Sequence, residues 1–147
     1  MFHLARKFAP LGWNRRVFTE ADFDRLCRRE RIRVCEIPLS VGGFYMRARG
    51  RQFIYLDSRL RGVRRLRAAL HELGHYYLHA GAEPTSAFFY GLRPDAREEF
   101  EADAFAAVAM IPEPLLRRLL AWEIEEEYGY ARDLINFRLK VLDTYGI

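Results

Sequence analysis

Cysteine, lysine and histidine are all scarce in this chain of 147 residues. The two cysteines, Cys27 and Cys35, fit neither the spacing of a zinc ribbon nor that of a redox pair, and two residues make no disulfide framework. Both are expected as buried, reduced thiols. No run approaches the ~18 consecutive apolar residues of a membrane span, so none is expected. The opening stretch MFHLARKFAPLGWNRR is basic but lacks the continuous apolar segment of a secretory signal, which leaves the cytoplasm as the expected location. No repeat, low-complexity tract or linker breaks the chain, and its length suits one domain over residues 1–147. With 50% hydrophobic residues it can build a core without staples, and a packed domain is expected rather than a disordered chain.

Lysine occurs only at positions 7 and 140, so basic charge is almost all arginine. Residues 1–70 hold 17 Lys/Arg against 6 Asp/Glu, a net of +11, while residues 71–147 hold 7 against 14, a net of −7. A basic half can be an electrostatic footprint for nucleic acid, and a basic nucleic-acid-binding module is one reading of the chain. A coding bias toward arginine produces the same composition with no function attached, and nucleic acid is not the expected partner.

The apolar pattern predicts an α+β fold. Thr19 caps a helix to about Arg31, with Asp22 as a short capping-box partner and Phe18 and Phe23 as a hydrophobic staple. IRVCEI (32–37) alternates as a strand does, and FYMRAR (44–49), Gly50 and RQFIYLD (51–57) read as a hairpin. These make a small, partly antiparallel three-stranded sheet. A helix follows over 60–79, with Gly62 a weak spot and Leu66, Ala69, Leu70, Leu73 and Tyr77 on one face. A loop spans 80–94. A further helix opens at Asp95, with Glu98 closing a capping box, and stops before Pro112. Another runs from Pro114 to near Gly129, and a last one from Tyr130 to Tyr145, making about five helices in all.

Three of the four histidines fall within HELGHYYLH (71–79). Residues i and i+4 of a helix share a face, so His71 and His75 can aim both imidazoles at one point. Zinc accepts imidazole nitrogen at ~2.0–2.1 Å, and catalytic sites commonly use three protein ligands. Glu72, about 100° further round the helix, can reach a water polarised by the ion and act as its general base. This is the chemistry of an H-E-x-x-H helix, set against the plainer reading of a structural histidine pair. Gly74 costs about 1 kcal/mol relative to alanine inside a helix, which implies a close approach of another backbone.

A third ligand is sought in EEFEADAFAAVAMIP (98–112). Ala102, Phe105, Ala106 and Ala109 define a buried face, and Glu99 lies at its edge. An acid beside alanine and phenylalanine is costly unless a cation meets it. Glu99 is therefore the expected third ligand and Glu101 the alternative; Glu98 serves the cap. Asp103, four residues after Glu99, can orient His71 or His75 from behind. The competing reading of these acids is a solvated helix N-terminus, which favours negative charge.

HELGH followed by EEFEADAFAAVAMIP, together with FIYLDSRL before them, resembles the ImmA/IrrE-type metallopeptidases over roughly residues 40–112. The resemblance implies a gluzincin-like fold with one zinc ion on His71, His75 and Glu99, and Glu72 as the base. It also implies a protein substrate, a helix-turn-helix transcriptional repressor. The chain departs from the family pattern at Asp103, where asparagine is common, and at Ile111 within the Met-Pro end. A protein that keeps this fold but acts by binding a partner without turnover is the alternative.

Weaker features remain. His79 has the wrong spacing for a metzincin third histidine and suits a helix C-terminus or the rim of a substrate site. Tyr90, in the aromatic loop SAFFYG, could pack beneath that loop or donate its hydroxyl to a developing oxyanion. In zincins the substrate lies against an edge strand, and the resemblance implies that the hairpin at 44–57 supplies it. Its Arg47, Arg49 and Arg51 then favour an acidic target, or simply guard the edge against aggregation.

Overall fold

The computed structural model describes residues 6–80 and 96–147. The chain forms two compact units, one of Thr19–Ala106 and the other of Met1–Phe18 with Ala107–Ile147. No helix among the described residues is long and apolar enough to cross a membrane.

The unit from Thr19 to Ala106 begins with helix α1, Glu20–Arg29. Thr19 stands extended before it as the cap, and the Asp22 carboxylate accepts the Thr19 backbone N–H at 2.9 Å. Acids in the first turn and Arg28 and Arg29 in the last complement the helix dipole. Phe23, Leu26 and Cys27 form the buried face; burial and the charge of Asp24 push the Cys27 thiol up to about 12. Both cysteines are free thiols, Cys27 buried and Cys35 only half-buried.

Strands β1 (Ile32–Ile37), β2 (Gly43–Ala48) and β3 (Arg51–Asp57) form one sheet in the order β1-β3-β2. β2 and β3 pair antiparallel, with Tyr45 opposite Ile54, as the hairpin expectation required. Their two-residue connection, Arg49-Gly50, has φ of 49° and 75°. Positive φ at both positions is the primed turn that matches strand twist. β1 pairs with β3 in parallel, Val34 opposite Ile54, so the sheet is mixed and β2 is an edge strand.

Helix α2, Gly62–His79, packs on β2, β3 and α1. Its buried stripe of Leu66, Ala69, Leu70 and Leu73 recurs at helical spacing on the helix that packs against the sheet, whose own buried residues include Tyr45, Ile54 and Leu56. Gly62, the weak spot of the sequence, is its first residue, with φ of 54°. Arg65 reaches from α2 to Glu36 of β1, at 2.6 Å, and to Glu20 of α1. Helix α3, Ala96–Met110, follows. The capping box expected at Asp95 lies outside the described residues. Gly74 is where α2 and α3 meet: a Cβ there would stand 3.1 Å from Ala102 Cα and 3.2 Å from both the Ala102 carbonyl oxygen and Phe105 Cβ. The close approach inferred from a helix-interior glycine is therefore present. Gly74→Ala is expected to force the helices apart and lower stability by about 1–3 kcal/mol, with a parallel loss of metal retention, measured by denaturant unfolding and elemental analysis.

In the other unit, Trp13 is 1% exposed and meets Phe8 edge-on at 5.9 Å between ring centres, the anchor anticipated for it. The single helix expected from Pro114 to Gly129 is instead two, α4 (Glu113–Arg118) and α5 (Ala121–Tyr128). Leu119 and Leu120 are extended between them, at φ, ψ of −120°, 146° and −74°, 159°. No glycine or proline announces this break. It is stabilised by Glu123, whose carboxylate accepts the Leu120 backbone N–H at 2.6 Å, half of a capping box. Helix α6, Arg132–Tyr145, starts two residues later than expected and ends on Gly146 in the left-handed region. Arg138 of α6 is fully buried and donates to the main-chain oxygens of Ile111 (2.7 Å) and Ile147 (2.6 Å) and to Asn14 Oδ1 (3.1 Å).

Candidate metal centre

Everything at the site belongs to the Thr19–Ala106 unit, on α2, α3 and the start of β2. One turn of α2 separates His71 from His75, and their Nε2 atoms face each other at 3.0 Å. Glu99, in the first turn of α3, closes the third side: its Oε2 lies 3.4 Å from His71 Nε2 and its Oε1 3.1 Å from His75 Nε2. The ligand-type atoms of these three residues all fall within 4.8 Å of one another.

This set fits a small divalent cation. Ligand atoms held tetrahedrally at ~2.0–2.1 Å from zinc stand about 3.3 Å apart, and the contacts observed are 3.0, 3.1 and 3.4 Å. Two imidazole nitrogens facing each other can share only one proton, so an ion between them satisfies both lone pairs and the carboxylate together. The electrostatics agree. Burial, with the neighbouring charges of His71 and His79, pushes His75 down to about 3, so it stays neutral and able to ligate. For His71 burial acts downward, but the contact with Asp103 and the charges of Glu72, Asp103 and Glu99 outweigh it and raise the pKa. Asp103 Oδ1 lies 2.9 Å from His71 Nδ1, behind the nitrogen that faces the centre. A carboxylate so placed fixes the ring and presents its far nitrogen to a ligand.

Glu72 is 5% exposed, and burial first, with the charges of Glu99 and Asp103 adding, pushes it up to about 7. Its carboxylate accepts the backbone N–H of Tyr45, yet its Oε2 is buried with no hydrogen-bond partner among the described residues. A buried carboxylate oxygen left unbonded is costly, and Glu72 is one of the residues lining a cleft of about 550 Å³ together with His71, His75, Glu99 and Asp103.

The other sequence candidates fall elsewhere. Glu101, the alternative ligand, turns to Arg97, 3.0 Å away, and is outside the group. His79 ends α2 with its Nε2 3.9 Å from Glu101 and its ring 5.5 Å from that of His75. Tyr90 lies outside the described residues. Gly43 was read in the sequence only as punctuation, but its backbone lies against the base: a Cβ there would sit 2.7 Å from the Tyr55 carbonyl oxygen and 3.1 Å from Glu72 Cγ. The Gly42-Gly43 pair was the available sign, and nothing in the sequence said which side chain it faced.

A peptidase family model described as the IrrE N-terminal-like domain matches residues 27–140, which include every residue of this centre. No curated protein and no solved structure matches the chain. The match extends well beyond the 40–112 stretch that carries the motifs, and this chain belongs to the IrrE N-terminal-like family of metallopeptidases.

Proposed function

We propose that the protein is a zinc-dependent endopeptidase acting on a protein substrate, a helix-turn-helix transcriptional repressor. The observation that carries the hydrolytic reading is the buried, orphaned Oε2 of Glu72, a residue that lines the same cleft as the converging His71, His75 and Glu99. That pairs a proton acceptor with a cation site, the two parts needed to attack an amide with water. The repressor as target is supported by the family's resemblance alone.

His71, His75 and Glu99 would hold the ion, and Asp103 would hold the His71 ring in the tautomer that ligates. When bound, zinc supplies Lewis-acid polarisation of water and of the substrate carbonyl. Glu72 Oε2 takes the proton of the attacking water and hands it to the leaving amine. The Tyr45 backbone N–H steadies the carboxylate during this shuttle, and Gly43 keeps it from being pushed aside. The substrate backbone runs beside β2, the edge strand whose approach, Val41 to Gly43, lines the cleft.

The test joins metal content to cleavage. Elemental analysis of the purified chain should give one zinc per molecule, lost in His71→Ala and Glu99→Ala. Helix-turn-helix repressors encoded beside the protein should be cut by the zinc-loaded wild type and left intact by those variants. Equal survival of the repressors with wild type and variants would reject the proteolytic reading.

A further inference from the structure

Leu120 and Trp122 are the most exposed large apolar side chains among the described residues, at 64% and 53%. They stand two residues apart, where α4 gives way to α5. That division leaves Leu119 and Leu120 extended, and Leu119 borders a cleft of about 490 Å³ together with Trp122, Glu123, Glu126 and Glu127. The last four lie on one face of α5, since residues four apart on a helix are neighbours. Large apolar side chains gathered in water beside a cleft mark a surface that a partner covers, and an exposed tryptophan is a common anchor of such a surface.

The charge of the cleft says what kind of partner. No basic side chain among the described residues lines it, while three carboxylates surround one indole. Glu123 is engaged as the cap of α5, and Glu127 has Arg118 at 3.8 Å. Glu126, one turn beyond Trp122, makes no ion pair among the described residues. Glu123 and Glu127 are also like charges four apart, an arrangement that weakens a helix. A purely apolar partner would cover Glu126 without supplying a counter-charge, which is costly. A guanidinium or ammonium group resolves this, because it pairs with the carboxylate and lies over the indole face. An aliphatic neighbour of that cation then covers Leu119 and Leu120.

We propose that this face of α5 docks a basic amphipathic segment of the substrate protein, one that carries arginine or lysine beside leucine-like side chains. The inference rests on the peptidase reading with a DNA-binding substrate. A protein that binds DNA presents cations to the phosphates, so such a substrate carries the charge that this face complements. The docking face belongs to the unit of Met1–Phe18 with Ala107–Ile147, and the metal centre to the other unit. It therefore serves affinity for a whole protein and takes no part in the chemistry at the bond.

The test separates docking from hydrolysis. Three fluorescent helical peptides of about sixteen residues carry Arg with Leu, Glu with Leu, or Arg with Ala along one face. Their binding is measured at low salt to zinc-loaded Glu72→Gln protein, and to the same protein with Trp122→Ala or with Glu126→Lys and Glu127→Lys added. All three positions are exposed, so the variants should keep the fold. The Arg-Leu peptide is expected to bind tightest and to lose about fivefold or more with Trp122→Ala. On the charge-reversed protein the Glu-Leu peptide should take its place. No binding at about 0.5 mM protein, affinity unchanged in both variants, or an Arg-Ala peptide that binds as tightly as Arg-Leu would each overturn the docking face. Light scattering tests the other occupant: self-association of the wild type that Trp122→Ala abolishes would assign the face to a second copy and overturn the proposal. Zinc-loaded wild type and Trp122→Ala are also assayed on the neighbouring helix-turn-helix repressors and on short peptides spanning the cut bond. Trp122→Ala is expected to raise KM for the repressor about fivefold and to leave the short peptides cut at the wild-type rate. Cleavage of both substrates by Trp122→Ala as by wild type upholds the peptidase and sinks the docking face. No cleavage of either, with peptide binding that depends on Trp122 and reverses with charge, upholds the docking face and counts against the peptidase.

Discussion

Glu72→Gln is expected to lower the rate of peptide hydrolysis by about 10²–10⁴-fold, the range for loss of a positioned general base, with metal content staying at the wild-type level. The substitution changes little else. Glutamine matches glutamate in shape, so the contact of Gly43 with Glu72 Cγ survives, and the amide oxygen can still accept the Tyr45 N–H. What is lost is proton affinity at Oε2, the atom with no hydrogen-bond partner among the described residues. A carboxylate in that position is expensive to bury, and a neutral amide is easier to hold there, so the variant should be at least as stable as wild type to denaturant. Activity and stability then move in opposite directions, a signature of a residue kept for its chemistry. Measuring kcat/KM beside the unfolding midpoint checks both halves. If Glu72→Gln retained full activity, Glu72 would have no role as base.

Much of this could be read from residue types and their periods. The alternation in IRVCEI and RQFIYLD, the Thr19 cap and the interior Gly74 each encode a local geometry, and each recurs in the fold. The meeting of His71 with His75 was local too, because four residues make one turn. What escaped was set by contacts distant in sequence or by backbone. The parallel pairing of β1 with β3 leaves no mark on either strand alone. The divided helix at Leu119 and Leu120 has no breaker residue; it follows from Glu123 capping the second segment, with Leu115 and Ile124 both buried while Leu120 remains exposed. The wheel drawn for α3 placed one face inward, whereas every residue from Ala104 to Ile111 is buried, so an amphipathic pattern could order the acids but not describe their surroundings. The helix face put Glu99 ahead of Glu101, but its distance from the histidines depends on where α3 sits against α2, and so on Gly74 admitting Ala102. Gly43 and the Tyr45 N–H act on Glu72 through main chain, which side-chain motifs do not report.

Arg138→Met is expected to lower stability by about 3–5 kcal/mol, on the scale of the whole margin of many domains. Nothing in the sequence sets Arg138 apart from the chain's other arginines, yet it is fully buried. Burial pulls its pKa down to about 10, which still leaves it charged at neutral pH. The charge is held by main-chain oxygens of Ile111 and Ile147 and by Asn14 Oδ1, which also accepts the Glu113 backbone N–H at 2.8 Å. Methionine fills part of the volume but strands the main-chain oxygens of Ile111 and Ile147 that Arg138 served, at about 1–3 kcal/mol for each unsatisfied group. Arg138→Lys keeps the charge yet has one nitrogen to serve acceptors that the guanidinium reaches with three, so it should recover only part of the loss. With about 2–4 °C of melting temperature per kcal/mol for a chain of this size, the methionine variant should melt roughly 6–20 °C lower. Because the oxygens it binds come from residues 14, 111 and 147, the loss should appear as one cooperative shift with zinc content of the folded fraction unchanged. A methionine variant that melted with the wild type would mean that these hydrogen bonds carry no net stability.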